Sequence, residues 1–251
     1  KTGNAIYHID FSSDGFKLGG SSFAQVRNRI GKETPTVKDA HYFKACFNAV
    51  QEAIEEDLVL AGHDISAGGM LTALLEMCFS NNELGAEIDL SGIDEKDVVK
   101  ILFAENSGVI LQSDKTERIE DLFKQRGIAF HKIGFAKKNS ALTFKNPELE
   151  FDIATYRDFW FKTSFLLDSK QTADNLARSR YENYKTQPLS FSFPKQFDGK
   201  IASPNAKPGQ RPKAAVIREK GSNSEREMAN AMYLAGFDVK DVHMTDLISG
   251  R

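Results

Sequence analysis

The sequence predicts an α+β fold, in which a mixed, largely antiparallel sheet packs against helices. Apolar residues recur at helical spacing in residues 38–57, 70–79 and 116–126. Strand-like stretches occur at residues 5–11, 86–90, 108–111, 128–135, 141–144 and 150–153. Some of these stretches are joined by hairpin-like turns and others by helices, and this mixture is typical of α+β domains.

Composition restricts the class of protein. The 251 residues are enough for more than one domain, and 41% hydrophobic with 27% charged residues is typical of a soluble globular chain. A net charge of −2 predicts no general attraction to nucleic acid or to an anionic membrane. No apolar run is long enough for a membrane span, and no cleavable signal is visible. Cys46 and Cys78 fall on amphipathic helices, which favours buried thiols. We therefore expect a cytoplasmic protein.

A strong helix is predicted over residues 38–57. Phe43, Phe47, Val50 and Ile54 recur on one face, so we expect them to form its buried stripe. The three apolar residues that follow, at positions 58–60, predict a short strand. The chain would then enter a loop that leads into the next helix.

That loop has the sequence HDISAGG, at residues 63–69. A loop that enters a helix N-terminus offers unpaired backbone N–H groups and the positive end of the helix dipole. Asp64 adds a hard oxygen ligand and Ser66 a hydroxyl, so a phosphate and its magnesium ion could be held there. In the alternative interpretation, Ser66 only caps the helix and Asp64 only satisfies the turn. Because such loops are common, spacing alone favours this alternative.

Two other polar turns have a similar double interpretation. The sequence LGGSS at residues 18–22 opens a short helix and could bind an anion, although a tight packing turn is the simpler expectation. Glu105, Asn106 and Ser107 lie at the entrance of a strand. They could supply a carboxylate and hydrogen bonds to a ligand, but their position alone favours a plain turn.

The C-terminal part of the chain is organised differently. Residues 155–185 contain no proline or glycine and predict one long packing helix. Five of the seven prolines fall in residues 186–212, which predicts an extended connector. Residues 213–251 have the strand, helix, strand pattern that opens a parallel-sheet domain. We therefore predict parts at residues 1–154, 155–212 and 213–251, and we expect a fragment of a longer protein.

Several motifs, in this order, resemble the large, single-chain form of the phosphoribosylformylglycinamidine synthase family. Residues 63–77, HDISAGGMLTALLEM, are similar to the His-Asp-x-Ser-Asp-Gly-Gly segment of its second synthetase half, and residues 18–21 resemble a turn early in the same domain. Trp160 lies where the family has a tryptophan-bearing helix. Residues 218–224, REKGSNS, and 236–247 resemble the first turn and the next strand of the family's glutaminase domain. The resemblance extends over essentially the whole chain.

The resemblance implies a reaction and a domain organisation. The family converts formylglycinamide ribonucleotide, glutamine and ATP to formylglycinamidine ribonucleotide in purine biosynthesis. ATP activates the substrate's amide oxygen as an iminophosphate, and ammonia from the glutaminase domain displaces the phosphate. Residues 1–154 would then be the C-terminal domain of a synthetase half, and residues 213–251 the start of an α/β domain of the class I glutamine amidotransferase type.

The resemblance also implies site residues. Asp64 would be a ligand of Mg²⁺ and Ser66 would contact ATP or ADP, which reverses the preference that spacing gives for the loop. Residues 105–107 take the place of a Glu-Ser-Gln substrate loop, from which they depart in sequence. Ala67 replaces an acid that is common in this motif, so one outer carboxylate is absent and the metal count is open.

The expected partners are the preceding synthetase domains and the following glutaminase domain of the same parent chain, with small-molecule substrates but neither nucleic acid nor membrane. By resemblance, the ATP site is shared with a domain outside this chain, and the glutaminase cysteine also lies outside it. We therefore expect the isolated chain to be inactive.

Two alternatives stay open at this point. The first is a non-catalytic module that binds a structural nucleotide and docks the glutaminase, since the resemblance implies that one of the two nucleotide sites in the large enzyme does not turn over. The second is another member of the same ATP-binding superfamily, such as aminoimidazole ribonucleotide synthetase or a selenophosphate synthetase. The glutaminase-like residues 213–251 argue against this second alternative.

Overall fold

The computed structural model describes residues 2–80, 83–173, 175–184, 191–199 and 210–250. The chain divides into two compact units, residues 1–187 and 188–251. The first unit is a sheet with helices on both faces, and the second contains a short βαβ unit. Within the described part of the chain, no helix is both long and apolar enough to cross a lipid bilayer.

A seven-stranded sheet forms the centre of the first unit. Its strands are β1 (Ala5–Asp10), β2 (Ala61–Asp64), β3 (Gly85–Ile88), β4 (Gly108–Ser113), β5 (His131–Lys137), β6 (Ala141–Phe144) and β7 (Leu149–Asp152). They are ordered β2-β4-β1-β5-β3-β6-β7, and each neighbouring pair is antiparallel except β3 and β6. The predicted α+β class with a mixed, largely antiparallel sheet is therefore confirmed.

Helices cover both faces of this sheet. The helices of the first unit are α1 (Ser22–Val26), α2 (Ala40–Glu55), α3 (Gly69–Cys78), α4 (Val98–Phe103), α5 (Thr116–Gln125), α6 (Ile153–Asp168) and α7 (Leu176–Asn183). One hydrophobic core contains α3 and α4, and the other contains α2 and α5. Residues of β1 alternate between the two cores, with Ile6 in the first and Tyr7 and Ile9 in the second.

The strand predicted at residues 58–60 is wrong, because β2 begins only at Ala61. Leu58 is 1% exposed, and its N–H donates to the carbonyl of Ala53 at 2.8 Å. Asp57 has φ 55, the left-handed conformation that often follows a helix end. Leu58 therefore closes α2, whereas the N–H of Leu60 already donates to the carbonyl of Gln112 in β4 at 2.8 Å, so pairing with the sheet begins at the end of the apolar run and not at its start. The strand itself consists of AGHD, in which apolar periodicity gives no signal.

The buried stripe of α2 is rotated relative to the predicted one. Its buried residues are Cys46, Ala49, Val50 and Ala53. Phe47 is 51% exposed and Ile54 is 48% exposed, so of the predicted stripe only Val50 is buried and Phe43 partly buried. Small side chains let the helix backbone lie close to the sheet, and close packing there outweighs the larger apolar area of the phenylalanines. Cys46 and Cys78 are free thiols, the first buried and the second half-buried.

The single helix predicted over residues 155–185 is also wrong. α6 ends at Asp168 and α7 begins at Leu176, with a turn between them. The N–H of Thr172 still makes a helical bond to the carbonyl of Asp168 at 2.9 Å, but the Thr172 hydroxyl donates to the same carbonyl at 3.0 Å. A side-chain bond of this kind slightly destabilises and bends a helix. The ring of Phe165 stacks on that of Tyr181 with centroids 4.8 Å apart. The aromatic residues therefore pack α6 against α7.

The second unit contains β8 (Lys213–Arg218), α8 (Glu225–Leu234), β9 (Asp238–His243) and α9 (Met244–Ser249). β8 and β9 are parallel, which matches the predicted strand, helix, strand order. Ile217 of β8 is 59% exposed, whereas parallel strands are normally covered on both faces. Of the predicted connector at residues 186–212, residues 186–190 and 200–209 lie outside the described residues. The domain boundaries at 154 and 212 stay predictions.

A neutral histidine is buried in the centre of the sheet. His8 in β1 is 2% exposed, and its ring stacks on that of His131 with centroids 6.2 Å apart. Its Nδ1 has no hydrogen-bond partner among the described residues. Burial, and secondarily the neighbouring His131, lower the pKa of His8 to about 3 from 6.5. The folded chain therefore keeps this imidazole uncharged at pH values well above 3.

The buried histidine predicts a loss of stability in mild acid. Below pH 6.5 the unfolded chain binds a proton at His8, and the folded chain binds one only below about pH 3, so stability falls with pH between these values. From pH 6.5 to about pH 4.5 the wild-type chain should lose about 2 kcal/mol more unfolding free energy than His8→Leu. Urea unfolding at both pH values, followed by the emission of Trp160, measures this difference.

Asp14 does not interfere with that measurement. Lys17 and Lys38, 2.7 and 2.8 Å away, hold the pKa of Asp14 well below its usual 3.8. Its contribution to stability is therefore complete above pH 3.8 and is lost only at lower pH. Equal losses in the wild-type chain and in His8→Leu would contradict a neutral buried His8.

Candidate functional site

Asp64 and Ser66 lie on either side of an anchored residue at the end of β2. Ile65 is 8% exposed, and its N–H donates to the carbonyl of Gly108 at 2.8 Å, which fixes the loop to the end of β4. The side chain of Asp64 is 74% exposed, and Ser66 is exposed as well. The structure therefore brings both predicted ligand residues to solvent at one end of the strand.

Gly68 and Gly69 are required by the backbone of this loop. Their φ values of 91 and 71 lie in the left-handed region that disfavours side chains. A Cβ on Gly69 would lie 2.6 Å from the carbonyl oxygen of Leu102 and 2.8 Å from the backbone of Phe103. Glycine is therefore required at position 69 because α4 packs directly against the backbone there.

Ser66 does not cap α3. The N-cap residue is Gly68, and no side chain accepts a hydrogen bond from the first turn. Ser66 uses its carbonyl, which accepts the N–H of Gly69 at 3.0 Å. Among the residues that the structure describes, no backbone N–H donates to the Asp64 carboxylate or to the Ser66 hydroxyl. The local roles of the alternative interpretation are thus not seen, and both oxygen groups are available to a ligand.

Glu105 joins the two glycine turns. Its Oε1 accepts the N–H of Ser22 at 2.7 Å and the N–H of Gly68 at 2.8 Å. Ser22 begins α1 and Gly68 is the N-cap of α3, so one carboxylate oxygen compensates the positive ends of both helices. The turns that the sequence offered as two separate anion sites are held together by an anion of the chain itself.

Asn106 and Ser107 fix the loop that follows β1. Asn106 is 3% exposed, and its Nδ2 donates to Ser12 Oγ at 3.0 Å and to the carbonyl of Asp14 at 3.3 Å. The carbonyl of Ser107 accepts the N–H of Phe11 at 2.8 Å. These contacts are internal to the fold. Contact of these residues with a substrate stays a prediction.

A line of contacts leads from Asp64 to α6. His63 Nδ1 donates to the carbonyl of Asp64 at 2.7 Å, because a carbonyl oxygen can only accept. Its Nε2 lies 3.0 Å from Oε2 of Glu76 on α3. The other oxygen of Glu76 accepts the indole N–H of Trp160 at 2.8 Å. Sequence reasoning gave His63 and Glu76 no role, since their contact depends on how β2 packs against α3.

The donor atoms at the loop are too few to form a metal site alone. In the described part of the chain, no group of three or more His, Cys, Asp or Glu side chains could hold a metal ion. Asp64 and Ser66 supply one carboxylate and one hydroxyl. Mg²⁺ commonly takes one or two protein carboxylates and fills its other positions with phosphate oxygens and water. The donor set therefore fits a magnesium ion that is carried by a nucleotide.

Two family models match parts of the chain. Residues 1–145 match the family described as AIR synthase related protein, C-terminal domain. Residues 211–251 match the CobB/CobQ-like glutamine amidotransferase domain. Because the first match takes in more than half of the sequence, the chain belongs to the family of AIR synthase related proteins through their C-terminal domain.

Individual curated relatives identify the family more specifically than the family models do. The chain is 35% identical over 257 residues to the Arabidopsis thaliana protein named "Probable phosphoribosylformylglycinamidine synthase, chloroplastic/mitochondrial", in a match that covers 98% of this chain and 18% of the relative. It is 31% identical over 259 residues to Homo sapiens phosphoribosylformylglycinamidine synthase, covering 98% and 19%. The chain therefore spans about a fifth of the length of these curated relatives. A solved structure described as T. maritima PurL complexed with FGAR is 19% identical, with a TM-score of 0.49 over 62% of this chain and 28% of that one.

The double contact of Glu105 predicts a stability effect. Glu105→Ala removes the acceptor of two helix-start N–H groups and should lower the unfolding free energy by about 2–3 kcal/mol. Glu105→Gln keeps a carbonyl oxygen and should lose only about 1 kcal/mol. Urea unfolding measures both changes, and amide hydrogen exchange at Ser22 and Gly68 should accelerate mainly in the alanine variant.

The matched control is Glu55→Ala, which removes an exposed carboxylate from α2. It should change the unfolding free energy by less than about 0.5 kcal/mol. If Glu105→Ala changed stability no more than this control, the bridge between α1 and α3 would not contribute to the fold.

Proposed function

We propose that Asp64 and Ser66 bind the magnesium ion and a phosphate of ATP or ADP, within a domain of a phosphoribosylformylglycinamidine synthase. The observation that carries the proposal is that the Asp64 carboxylate and the Ser66 hydroxyl are both exposed just before α3, and that neither of them caps this helix. The parent protein would convert formylglycinamide ribonucleotide, glutamine and ATP to formylglycinamidine ribonucleotide in purine biosynthesis. The long relatives that match 98% of the chain support this assignment.

Three features of the loop favour an anionic ligand with its cation. Glu105 accepts the N–H of Gly68 and the carbonyl of Ser66 accepts that of Gly69, but the first turn of α3 has no side-chain cap beyond them and can still donate to an anion. Asp64 offers a carboxylate to the cation and Ser66 a hydroxyl to a phosphate oxygen. Ile65 and the bridge from Glu105 keep the loop in place before any ligand arrives, which reduces the entropy lost on binding.

In the reaction, the bound magnesium ion would supply positive charge to the phosphoryl group that is transferred. Asp64 would hold the magnesium ion in position through its carboxylate, and the Ser66 hydroxyl would donate to a phosphate oxygen. The other surfaces of the ATP site and the glutaminase active site would come from other domains of the parent chain. We therefore expect no turnover from the 251 residues alone. The match of residues 211–251 to a glutamine amidotransferase domain supports the glutaminase as one such partner. A cytoplasmic location stays a prediction.

A second function within the same parent is supported by α6. This helix exposes large apolar side chains, among them Phe159 at 60% and Leu167 at 59%. A structural module that holds a nucleotide without turnover and docks a neighbouring domain would use such a surface. The catalytic and the structural nucleotide have the same ligands at Asp64 and Ser66, so only a functional assay separates them.

Nucleotide binding to the chain is tested by NMR titration with MgADP. Binding should be weak, in the millimolar range or about −4 kcal/mol, since other domains complete the site. The amide signals of residues 64–70 should shift in the wild-type chain. Asp64→Asn should weaken binding at least about tenfold through loss of the charged metal ligand. Asp114→Asn, which alters an exposed aspartate beyond β4, should bind as the wild-type chain does. Absence of any shift at residues 64–70 in the wild-type chain would overturn the proposal.

The catalytic and the structural role are separated in the complete polypeptide that carries this sequence. If the nucleotide turns over here, Asp64→Ala should abolish ligase activity with little change in melting temperature. If the nucleotide is structural, the same variant should lose bound nucleotide and melt at a lower temperature. Wild-type activity together with wild-type nucleotide content would contradict both roles.

A further inference from the structure

The loop motif contains two side chains that nucleotide binding does not use. His63 precedes the predicted metal ligand, and Glu76 lies two turns into α3. Both are half-buried, with side-chain exposures of 28% and 25%. Nε2 of His63 lies 3.0 Å from Oε2 of Glu76. A motif that needed only a cation and a phosphate would not require this pair.

Glu76 uses both of its oxygens. Oε2 faces His63 Nε2 at 3.0 Å, and Oε1 accepts the indole N–H of Trp160 at 2.8 Å. A carboxylate is planar and rigid, so one oxygen cannot be displaced without moving the other. The position of the His63 ring is thereby tied to the position of the indole on α6. His63 is in turn bonded to the main chain of Asp64 through Nδ1, at 2.7 Å.

α6 is itself fixed at the end of α3. Arg157 is 6% exposed and donates through Nη1 to the carbonyl of Phe79, the C-cap residue of α3, at 2.9 Å. A cation at this position also interacts favourably with the negative end of the helix. The rings of Phe79 and Trp160 lie 6.1 Å apart. Because α6 is packed against α3 in this way, a change in the position of the Glu76 carboxylate should change the environment of Trp160 on α6.

We propose that Glu76 is a positioning residue, which holds His63 and the main chain at Asp64 in place and makes α6 respond when the loop binds its ligand. The ligand is the magnesium nucleotide of the proposed function, on which this inference rests. Mutation of a group that hydrogen-bonds to a metal ligand and orients it commonly lowers metal affinity about 10–100-fold. Ligand binding at the loop should therefore change the environment of the Trp160 indole. Loss of the His63 or Glu76 side chain should weaken ligand binding at the loop.

The experiment uses the single tryptophan of the chain. One indole N–H signal appears in a ¹H–¹⁵N spectrum, and it belongs to Trp160. During titration of the wild-type chain with MgADP, this signal should shift with the same midpoint as the amide signals of Asp64 and Ser66. His63→Ala leaves Glu76 and Trp160 intact but breaks the line between them and Asp64. In this variant the loop amides should still shift, with about tenfold weaker binding, and the indole signal should stay fixed.

Variants of Glu76 complete the test. Glu76→Ala should displace the indole signal even without ligand, and Glu76→Gln, which keeps an acceptor for the indole N–H, should restore its unliganded position. Glu55→Ala should behave as the wild-type chain. If Glu76→Ala does not fold, His63→Ala alone decides the outcome.

The outcomes separate the two proposals. If the loop amides of the wild-type chain shift and the indole does not, or if the indole of His63→Ala shifts as in the wild-type chain, the positioning role is overturned and nucleotide binding stands. If neither the loop amides nor the indole of the wild-type chain shifts, nucleotide binding fails and the positioning role falls with it.

Discussion

The bridge made by one oxygen of Glu105 is the constraint on which the candidate site depends. It joins the start of α1 to the start of α3, two elements that are far apart in sequence, through the N–H groups of Ser22 and Gly68. The half-buried carboxylate supplies the negative charge that both helix ends require. With α3 fixed in this way at one end and by Arg157 at the other, the loop before it has a defined position relative to the sheet.

Parts of this architecture follow from local sequence. α5 lies where its apolar periodicity predicts, and β6 occupies the predicted residues. The errors arise where tertiary packing decides. α2 turns its small side chains to the sheet and leaves Phe47 exposed. The aromatic residues of the predicted long helix pack on one another across a turn. In each case the apolar pattern was visible, but the partner that selects one face lies elsewhere in the chain.

The candidate site shows the same division. Residue type and loop position make Asp64 and Ser66 candidates, but spacing alone favours a cap and a turn, and only the family resemblance selects them as ligands. The structure shows that both side chains are exposed. The bridging role of Glu105 and the contacts of Glu76 could not be inferred from spacing. They arise because Glu105 links α1 to the start of α3, while α6 packs against the second half and the end of α3. Sequence motifs therefore suggest candidate ligand groups, whereas the side chains that hold those groups in place become visible only in the fold.

The central claim is that a metal nucleotide binds at Asp64 and Ser66. Replacing Mg²⁺ by Mn²⁺ in an ADP titration tests it most directly, because the paramagnetic ion broadens the NMR signals of nearby nuclei, and this broadening falls steeply with distance from the ion. The account predicts that the amide signals of residues 64–66 broaden first, and that this selective broadening disappears in Asp64→Asn. Broadening centred on another acidic part of the surface, or equal broadening in Asp64→Asn, would contradict it.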